Sequence, residues 1–277
     1  MNLLFHNSRI KLTQGVMFWR EVGSGIPIVF LHGAWNDGSE WVSTMELLAK
    51  NLHCFSPDLL GFGESANPNI HHSIDLQVEC LADFLAALKL GKVYLVGHSL
   101  GGWIAASYAL KYPEQIFGLI LLAPEGVAAE GEKQYWQKRR SLFNCPPWII
   151  KFLRLIHPLI KLIGWKKRIA TNLELRKTLL QSSTACQLLF NRKQAEIAAE
   201  LLEKHLPEIK VPCLILQGGQ DTQIAISRSD TYARLIPNIQ LNNIAHGEDN
   251  LSETCAGVVA EAIRDFSLLV LTMQNNK

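Results

Sequence analysis

A single serine lies among glycines at the point where a buried segment ends. The stretch VYLVGHSLGG, residues 93–102, passes from apolar residues directly into three glycines around Ser99. A strand that ends in Gly-x-Ser-x-Gly and continues as a helix holds the serine at the tip of a sharp turn, where glycines allow close backbone approach. We therefore expect Ser99 to be a strained, exposed nucleophile.

A nucleophilic serine needs a base to remove its proton and an acid to orient that base. Two later apolar segments end in such groups: CLILQGGQD ends in Asp221, and IQLNNIAH ends in His246. The order serine, acid, histidine is the order of a nucleophile elbow on a strand–turn–helix unit. Ser99, Asp221 and His246 are the predicted nucleophile, acid and base. The alternative acid is Glu125 in LLAPEG, and Asp221 is then only a turn former.

The oxyanion that forms on an attacked carbonyl needs two backbone N–H donors, each able to stabilise it by roughly 3–4 kcal/mol. The first predicted donor is the N–H of Leu100, which directly follows the serine. The second is expected from the loop after an earlier strand, in VFLHGAW, residues 29–35. We place it at Ala34, with Trp35 as the alternative.

Three further residues lie beside these groups. Trp35 is a candidate for contacting the substrate, and His98 is a second candidate for lining the pocket. A hydrogen-bonding role within the turn is the alternative for His98. His32 is expected to stabilise the turn that precedes Ala34.

The elements that must position these residues alternate along the chain. Short apolar runs are continuous rather than alternating, which is typical of parallel strands buried on both faces. They occupy residues 26–33, 52–61, 92–99, 116–124, 211–221 and 239–247. Amphipathic stretches between them predict helices over residues 74–88, ended by Gly91, and over 100–112, 225–236 and 251–269. The predicted fold class is α/β, a doubly wound, mostly parallel sheet flanked by helices.

One region interrupts this alternation. Residues 125–207 contain no comparable strand, and within them residues 130–204 carry fifteen Lys or Arg against six Glu. We predict a core domain formed by residues 1–124 and 208–277, and an all-helical cap or lid inserted at 125–207. Such an insertion lies where it would cover Ser99.

The segment PPWIIKFLRLIHPLIKLIGWKKR, residues 146–168, is the clearest sequence signal in this insertion. Lys151, Arg154, His157 and Lys161 follow at helical spacing and leave a wide apolar face. One interpretation is an ordinary cap helix packed on the core. The other is an interfacial helix that brings the site to a membrane surface. Both imply an apolar substrate pocket.

Composition excludes several other classes of protein. The formal net charge of +2 gives no basis for nucleic-acid binding. The six cysteines lack zinc-binding spacing, and the basic residues near the N-terminus come in the wrong order for a secretory signal, so we expect a cytoplasmic protein with buried thiols. No phosphate-binding glycine loop, nucleotide motif or metal cluster is present, so no cofactor and no metal are expected. The oligomeric state stays open.

Together, LHGAW, PDLLGFGES, GHSLGG, LQGGQD and AHGED resemble the α/β-hydrolase fold family, in its cofactor-free, cap-bearing form. The resemblance frames nearly the whole chain except the cap, and it implies the triad of Ser99, Asp221 and His246. The chain departs from many relatives in having Ala245 rather than glycine before the histidine. A nucleophilic serine argues against the dehalogenases and epoxide hydrolases of the family, which use aspartate.

The predicted function is therefore a serine hydrolase that cleaves a carboxylic ester or thioester of a small hydrophobic, acyl-type substrate. Lipid-derived substrates fit the apolar cap. Two alternatives remain: hydrolysis of a carbon–carbon bond with the same triad, and a non-catalytic ligand-binding protein on the same fold.

Overall fold

The computed structural model describes residues 4–146, 148–149 and 166–275. Within these residues, eight strands form one sheet. They are β1 (His6–Lys11), β2 (Val16–Gly23), β3 (Ile26–Leu31), β4 (Leu52–Pro57), β5 (Val93–His98), β6 (Ile116–Leu122), β7 (Cys213–Gly218) and β8 (Ile239–Ile244). Each of the six predicted apolar segments contains one of the strands β3 to β8.

The sheet has the strand order β1-β2-β4-β3-β5-β6-β7-β8. Strands β3 to β8 run parallel to one another, while β2 pairs antiparallel with β4, and β1 pairs antiparallel with β2. The predicted α/β fold with a mostly parallel sheet is confirmed. Strands β1 and β2 were not predicted; β1, HNSRIK, is polar and lacks a continuous apolar run.

Helices connect the parallel strands. In the core they are α1 (Val42–Leu48), α2 (Ile74–Ala87), α3 (Leu100–Lys111), α8 (Gln223–Leu235), α9 (Leu251–Thr254) and α10 (Ala256–Asn275), with α4 (Glu132–Phe143), α5 (Lys166–Gln181), α6 (Ser183–Leu189) and α7 (Gln194–Ala199) between β6 and β7. Short 3-10 turns lie at Gly38–Trp41, Pro113–Gln115 and Leu206–Glu208.

Two predicted helix boundaries are wrong. Helix α2 ends at Ala87, and Lys89 takes the left-handed conformation (φ 55°) that was expected from Gly91. The Leu90 N–H bonds to the Leu85 carbonyl at 2.9 Å, which closes the helix end as a glycine cap normally does. The predicted helix 251–269 is divided, because Cys255 leaves helical dihedrals (φ −119°, ψ 26°) between α9 and α10.

The central strands β3 to β7 are buried on both faces, as the continuous apolar runs predicted, whereas the edge strands β1 and β8 are largely exposed. One face packs against α1 and α10, with Trp41 and Ile263 fully buried in the shared cluster. The strand residues of that cluster are Val22, Ile28, Phe30, Leu52, Cys54, Tyr94, Val96, Ile120, Leu122, Leu214 and Leu216. Residues between them, such as Leu31 and Leu95, face the opposite side and are equally buried. The loops that follow the parallel strands therefore project from a rigid support.

The chain divides into two compact units, Met1–Glu130 with Ala199–Lys277, and Gly131–Ala198. In the second unit, the described residues form α4 to α6 and most of α7, and Trp136 stacks on Phe190 with ring centroids 5.5 Å apart. Most of the segment 146–168, for which the sequence predicts a basic amphipathic helix, lies outside the described residues. In the part of the chain that the structure describes, no helix combines the length and apolar character needed to span a membrane.

Candidate active site

Ser99 occupies a strained turn between β5 and α3. Its backbone has φ 50° and ψ −112°, a region that residues other than glycine rarely adopt. Such a conformation costs about 1–3 kcal/mol and persists only where the surrounding structure enforces it. Three backbone hydrogen bonds do so: the Ser99 N–H donates to Leu122 at 2.9 Å, and the Ser99 carbonyl accepts from Glu125 at 3.0 Å and from Trp103 at 3.2 Å.

The glycines around Ser99 allow the turn to be this sharp. A Cβ on Gly97 would lie 2.3 Å from the carbonyl oxygen of Gly101, and a Cβ on Gly101 would lie 2.3 Å from the carbonyl oxygen of Leu31. Both contacts are far inside van der Waals distance and involve backbone atoms. The start of α3 therefore packs against the end of β3, where the predicted oxyanion loop begins. The hydroxyl of Ser99, half-buried, makes no hydrogen bond within the described residues.

The loop after β3 carries the predicted oxyanion donors. Ala34 is buried and Trp35 is 37% exposed. Within the described chain, the N–H groups of Ala34, Trp35 and Leu100 donate no hydrogen bond, so all three are free to bind an oxyanion. His32 fixes the start of this loop: its Nε2 accepts from the Leu59 N–H at 3.0 Å, which leaves its Nδ1–H to donate to the Gly33 carbonyl at 2.8 Å.

Asp221 follows β7 and is partly buried. One carboxylate oxygen accepts a hydrogen bond of 2.5 Å from the Thr222 N–H, and the other accepts one of 3.2 Å from the side chain of Gln217. Gln217 is itself held by the hydroxyl of Ser229 at 2.5 Å. The Asp221 carboxylate is thus oriented by the first turn of α8 and by the end of β7.

His246 follows β8 and is exposed. Its imidazole makes no hydrogen bond to any described residue. The structure therefore does not join the side chains of Ser99, His246 and Asp221 by hydrogen bonds, although each follows a strand of the parallel sheet at its carboxyl end.

The backbone does bring the acid loop and the histidine loop together. The N–H of Gln220, beside Asp221, donates to the carbonyl of Gly247, beside His246, at 2.9 Å. A Cβ on Gly218 would lie 2.6 Å from the same Gly247 carbonyl. The two loops are therefore in direct backbone contact.

His98 links the serine turn to two other loops. Its Nε2 lies 2.9 Å from the carbonyl oxygen of Asp249, and its Nδ1 lies 3.2 Å from Oε1 of Glu40, which is 3% exposed. Burial alone lowers the pKa of His98, but the charge and hydrogen bond of Glu40 outweigh it and raise the pKa above its usual range. Burial likewise raises the pKa of Glu40, and His98 more than reverses this, so that the Glu40 pKa is lowered.

Glu125, the alternative acid, is placed beside the turn but is already paired. Its carboxylate lies 2.7 Å from the guanidinium of Arg228, whose side chain is 5% exposed. The hydroxyl of Tyr232 donates to the Glu125 carbonyl at 2.7 Å. The carboxylate of Glu125 thus forms a largely buried ion pair with α8.

Sequence reasoning missed two of the buried charges around the turn, Glu40 and Arg228. Glu40 lies just before α1, where an acidic residue normally has only a favourable interaction with the helix dipole. Arg228 lies in an amphipathic stretch in which arginine is usually exposed. Their partners His98 and Glu125 are far away in sequence, so no local spacing could have indicated either pair.

A fold of this kind, with a strained serine between the fifth strand and the following helix, defines the α/β hydrolases. The chain belongs to the alpha/beta hydrolase family, whose sequence profile matches residues 28–250. The predicted family is therefore confirmed, as is the prediction that the chain is a hydrolase.

Three similar proteins cover nearly the whole chain. Monoacylglycerol lipase ABHD6 of Homo sapiens is 28% identical over 266 residues, which span 90% of this chain and 77% of that protein. The solved structure of Lip1 from Acinetobacter baumannii AYE matches with a TM-score of 0.77 at 22% identity, over 97% of this chain and 92% of that one. The meta-cleavage product hydrolase CumD matches with a TM-score of 0.72 at 20% identity, over 94% of this chain and 97% of that one.

Proposed function

We propose that the protein is a serine hydrolase of carboxylic esters or thioesters, acting on a hydrophobic, lipid-derived acyl substrate. Ser99 is the nucleophile, His246 the base and Asp221 the acid. The observation that carries this proposal is the strained backbone of Ser99, held between β5 and α3 with its hydroxyl unengaged. A serine held in such a turn between a strand and a helix presents its side chain to a bound substrate.

In this mechanism, His246 takes the proton of the Ser99 hydroxyl as the oxygen attacks the carbonyl carbon. The N–H groups of Ala34 and Leu100 hold the oxyanion of the tetrahedral intermediate. His246 then gives its proton to the leaving alcohol or thiol, and the acyl group stays on Ser99. Water attacks this acyl-enzyme with His246 again as base, and the acid and free Ser99 are released.

The exposed His246 must turn toward Ser99 for this chemistry. Catalytic hydrogen bonds are often open without substrate and close in the complex. The backbone contact between Gln220 and Gly247 supports this proposal, because it already holds the loops of the acid and the base side by side. In this proposal, rotation of the exposed His246 side chain brings its imidazole to Asp221.

Asp221 is favoured over Glu125 as the acid. The Glu125 carboxylate is paired with the buried guanidinium of Arg228 at 2.7 Å, whereas the Asp221 carboxylate is held only by neutral donors. A carboxylate held by neutral donors keeps its charge available to orient an imidazolium.

The proposed substrate class rests on the relatives. The human relative that spans 90% of this chain is named a monoacylglycerol lipase. This supports esters of a long acyl chain with a small alcohol. Among solved structures a meta-cleavage product hydrolase matches at 20% identity, a likeness that concerns the fold alone. Carbon–carbon bond hydrolysis is therefore treated as an outcome of the test.

The deciding experiment is labelling with a fluorophosphonate, which reacts with activated serines. We expect mass spectrometry to find the label on Ser99, and Ser99→Ala and His246→Ala to abolish it. Ser43→Ala, which changes an exposed serine on α1, is the matched control and is expected to label like the wild type. A folded wild-type protein that gives no label, beside a hydrolase that does, contradicts the proposed triad.

Turnover then identifies the bond that is cleaved. We expect monoacylglycerols and p-nitrophenyl esters to be hydrolysed, with kcat/KM rising with acyl length until the pocket is filled. Preferential cleavage of a diketone or dienone indicates carbon–carbon hydrolysis instead. Tight binding of lipid without product indicates a binding protein.

Contact of the segment 146–168 with a membrane remains a proposal from its sequence alone. Its basic residues favour anionic lipid surfaces. Cosedimentation with phosphatidylserine vesicles, compared with pure phosphatidylcholine vesicles, tests it. Contact is supported if the wild type binds phosphatidylserine vesicles and the double variant Lys151→Glu/Arg154→Glu does not. Equal sedimentation of the wild type and the double variant contradicts it.

A further inference from the structure

Three loops of the proposed site meet at one buried pair of side chains, Glu40 and His98. We propose that Glu40 and His98 are positioning residues. They hold the oxyanion loop, the serine turn and the histidine loop in fixed positions relative to one another. The inference rests on the proposed function, because it assigns those loops the donors, nucleophile and base of an ester hydrolase.

The first connection runs from Glu40 to the oxyanion loop. Its Oε2 accepts from the side chain of Asn36 at 2.8 Å and from the N–H of Gly33 at 3.3 Å. Gly33 and Asn36 bracket Ala34 and Trp35, the two candidate oxyanion donors. Glu40 therefore fixes both ends of the segment that must present an N–H to the oxyanion.

The second connection runs from Glu40 to the nucleophile. Its other oxygen lies 3.2 Å from Nδ1 of His98, the residue directly before Ser99. A Cβ on Gly33 would lie 3.0 Å from that same Nδ1, so the oxyanion loop packs directly on the ring. The Glu40 carboxylate thus connects the segment that carries Ala34 and Trp35 to the residue directly before Ser99.

The third connection runs from His98 to the loop of the base. Its Nε2 lies 2.9 Å from the carbonyl oxygen of Asp249, three residues after His246. A carbonyl oxygen only accepts, so Nε2 carries a hydrogen. A second proton lies between Nδ1 and the Glu40 carboxylate. The polar atoms of both side chains therefore have hydrogen-bond partners within the protein.

Two substitutions of Glu40 separate the hydrogen bonds from the charge. In Glu40→Gln, the amide oxygen still accepts from Gly33 and Asn36, and the amide N–H donates to Nδ1 of a neutral His98. Nε2–H of His98 still bonds to Asp249, so the connections persist without an ion pair. In Glu40→Ala, the hydrogen bonds that Gly33, Asn36 and Nδ1 of His98 make with the Glu40 carboxylate are lost.

We expect Glu40→Ala to lower kcat about 100-fold with KM changed less than about 3-fold, because loop displacement weakens transition-state binding more than substrate binding. Glu40→Gln is expected to keep kcat within about 3-fold of the wild type. Glu46→Ala, at an exposed acid on α1, is the matched control. Asn36→Ala, on the exposed side of the loop, is expected to lower kcat about 5-fold and serves if Glu40→Ala does not fold.

A double-mutant cycle tests whether Glu40 and His98 act as one unit. Both alanine variants are expected to lose the same activity, and the double variant to lose no more than about 3-fold beyond either. The inference is overturned if the losses of activity in the two alanine variants multiply in the double variant. It is also overturned if Glu40→Gln is as inactive as Glu40→Ala, because hydrogen bonds through this pair then do not set the positions of the loops.

Hydrogen exchange followed by mass spectrometry distinguishes failure of this inference from failure of the proposed function. In Glu40→Ala, peptides covering residues 32–38 and 245–251 are expected to exchange at least about 10-fold faster than in Glu40→Gln or Glu46→Ala. This result without ester turnover by the wild type means that the pair holds the loops but the hydrolase proposal is wrong. An active wild type whose two loops are unchanged in Glu40→Ala means that the positioning proposal is wrong.

Discussion

His98 and Asp249 are joined by a hydrogen bond of 2.9 Å from the imidazole Nε2 to the backbone carbonyl. This bond connects the residue before the proposed nucleophile to the loop of the proposed base, across 151 residues of sequence. A second hydrogen bond links the acid loop to the histidine loop: the Gln220 N–H donates to the Gly247 carbonyl at 2.9 Å. The histidine loop is therefore connected both to the serine turn, through the His98 side chain, and to the acid loop, through the backbone.

The charge state of His98 gives a prediction about stability and pH. Its pKa is raised, so its contribution to stability is complete below its ordinary value of 6.5 and is lost as the pH rises through the raised pKa. The pKa of Glu40 is lowered, so its contribution is complete above the ordinary value of 4.5 and is lost as the pH falls through the lowered pKa. The pair contributes fully only between these two values. Asp221 also faces His98 and adds to the rise, whereas His32 faces Glu40 and adds to the fall.

We therefore expect the free energy of unfolding of the wild type to exceed that of Glu40→Gln by more at about pH 5.5 than at about pH 9. Urea unfolding at both pH values measures the two differences. Glu46→Gln is the control and should show no such dependence. An equal difference at both pH values would contradict the assignment of an ion pair.

The glycines of the serine turn should be irreplaceable for steric reasons. Gly97→Ala and Gly101→Ala each place a Cβ 2.3 Å from a backbone oxygen, so we expect a loss of about 3 kcal/mol or more in the free energy of unfolding. Gly91→Ala is the matched control, since a Cβ there meets nothing within 4 Å, and should change stability by less than about 0.5 kcal/mol. Thermal and denaturant unfolding of the three variants checks this. Comparable losses in all three would show that space around the turn is not the constraint.

Ser99 should lower the stability of the fold that carries it. Because its φ of 50° and ψ of −112° suit glycine alone, Ser99→Gly relieves strain that Ser99→Ala keeps. We expect the glycine variant to be about 1 kcal/mol more stable than the alanine variant after the entropic penalty of glycine. Both lack the hydroxyl and should be inactive, so activity does not confound the comparison. A glycine variant less stable than the alanine variant would mean that the turn is not strained.

Much of the fold follows from the sequence because it depends on local signals. The six apolar runs predicted the six parallel strands, since burial on both faces favours apolar residues at consecutive positions; β8, at the sheet edge, was predicted although it is largely exposed. The glycines flanking Ser99 predicted the sharp turn, because only close backbone contact requires three of them. Strand β1 was missed because its polar residues at the sheet edge carry no such signal.

The interior of the site could not be predicted in the same way. Glu40 and His98 are 58 positions apart, and their pairing is decided by how β3, β5 and the 3-10 turn at Gly38–Trp41 pack. The end of α2 is a second feature that local sequence did not predict, because Lys89 takes the left-handed conformation there. A glycine two residues later was the better local choice for a left-handed cap, but tertiary packing ends α2 earlier.

Two substitutions, with opposite expected effects on activity and stability, test which carboxylate is the acid of the proposed triad. Asp221→Asn keeps the size of the side chain but removes the charge that holds the base in its productive tautomer, so we expect kcat to fall by about 10³–10⁴-fold. Its stability should change little, because Asp221 is partly exposed and held by neutral donors. Steady-state kinetics and denaturant unfolding measure the two effects.

Glu125→Gln should show the reverse pattern. It removes the negative charge that lies 2.7 Å from the buried guanidinium of Arg228, which is expected to cost about 3 kcal/mol in the free energy of unfolding. Because this carboxylate stabilises α8 rather than the base, kcat of the folded fraction should stay within about 10-fold of the wild type. If Glu125→Gln instead loses the activity that Asp221→Asn keeps, the acid lies after β6 and the assignment of Asp221 is wrong.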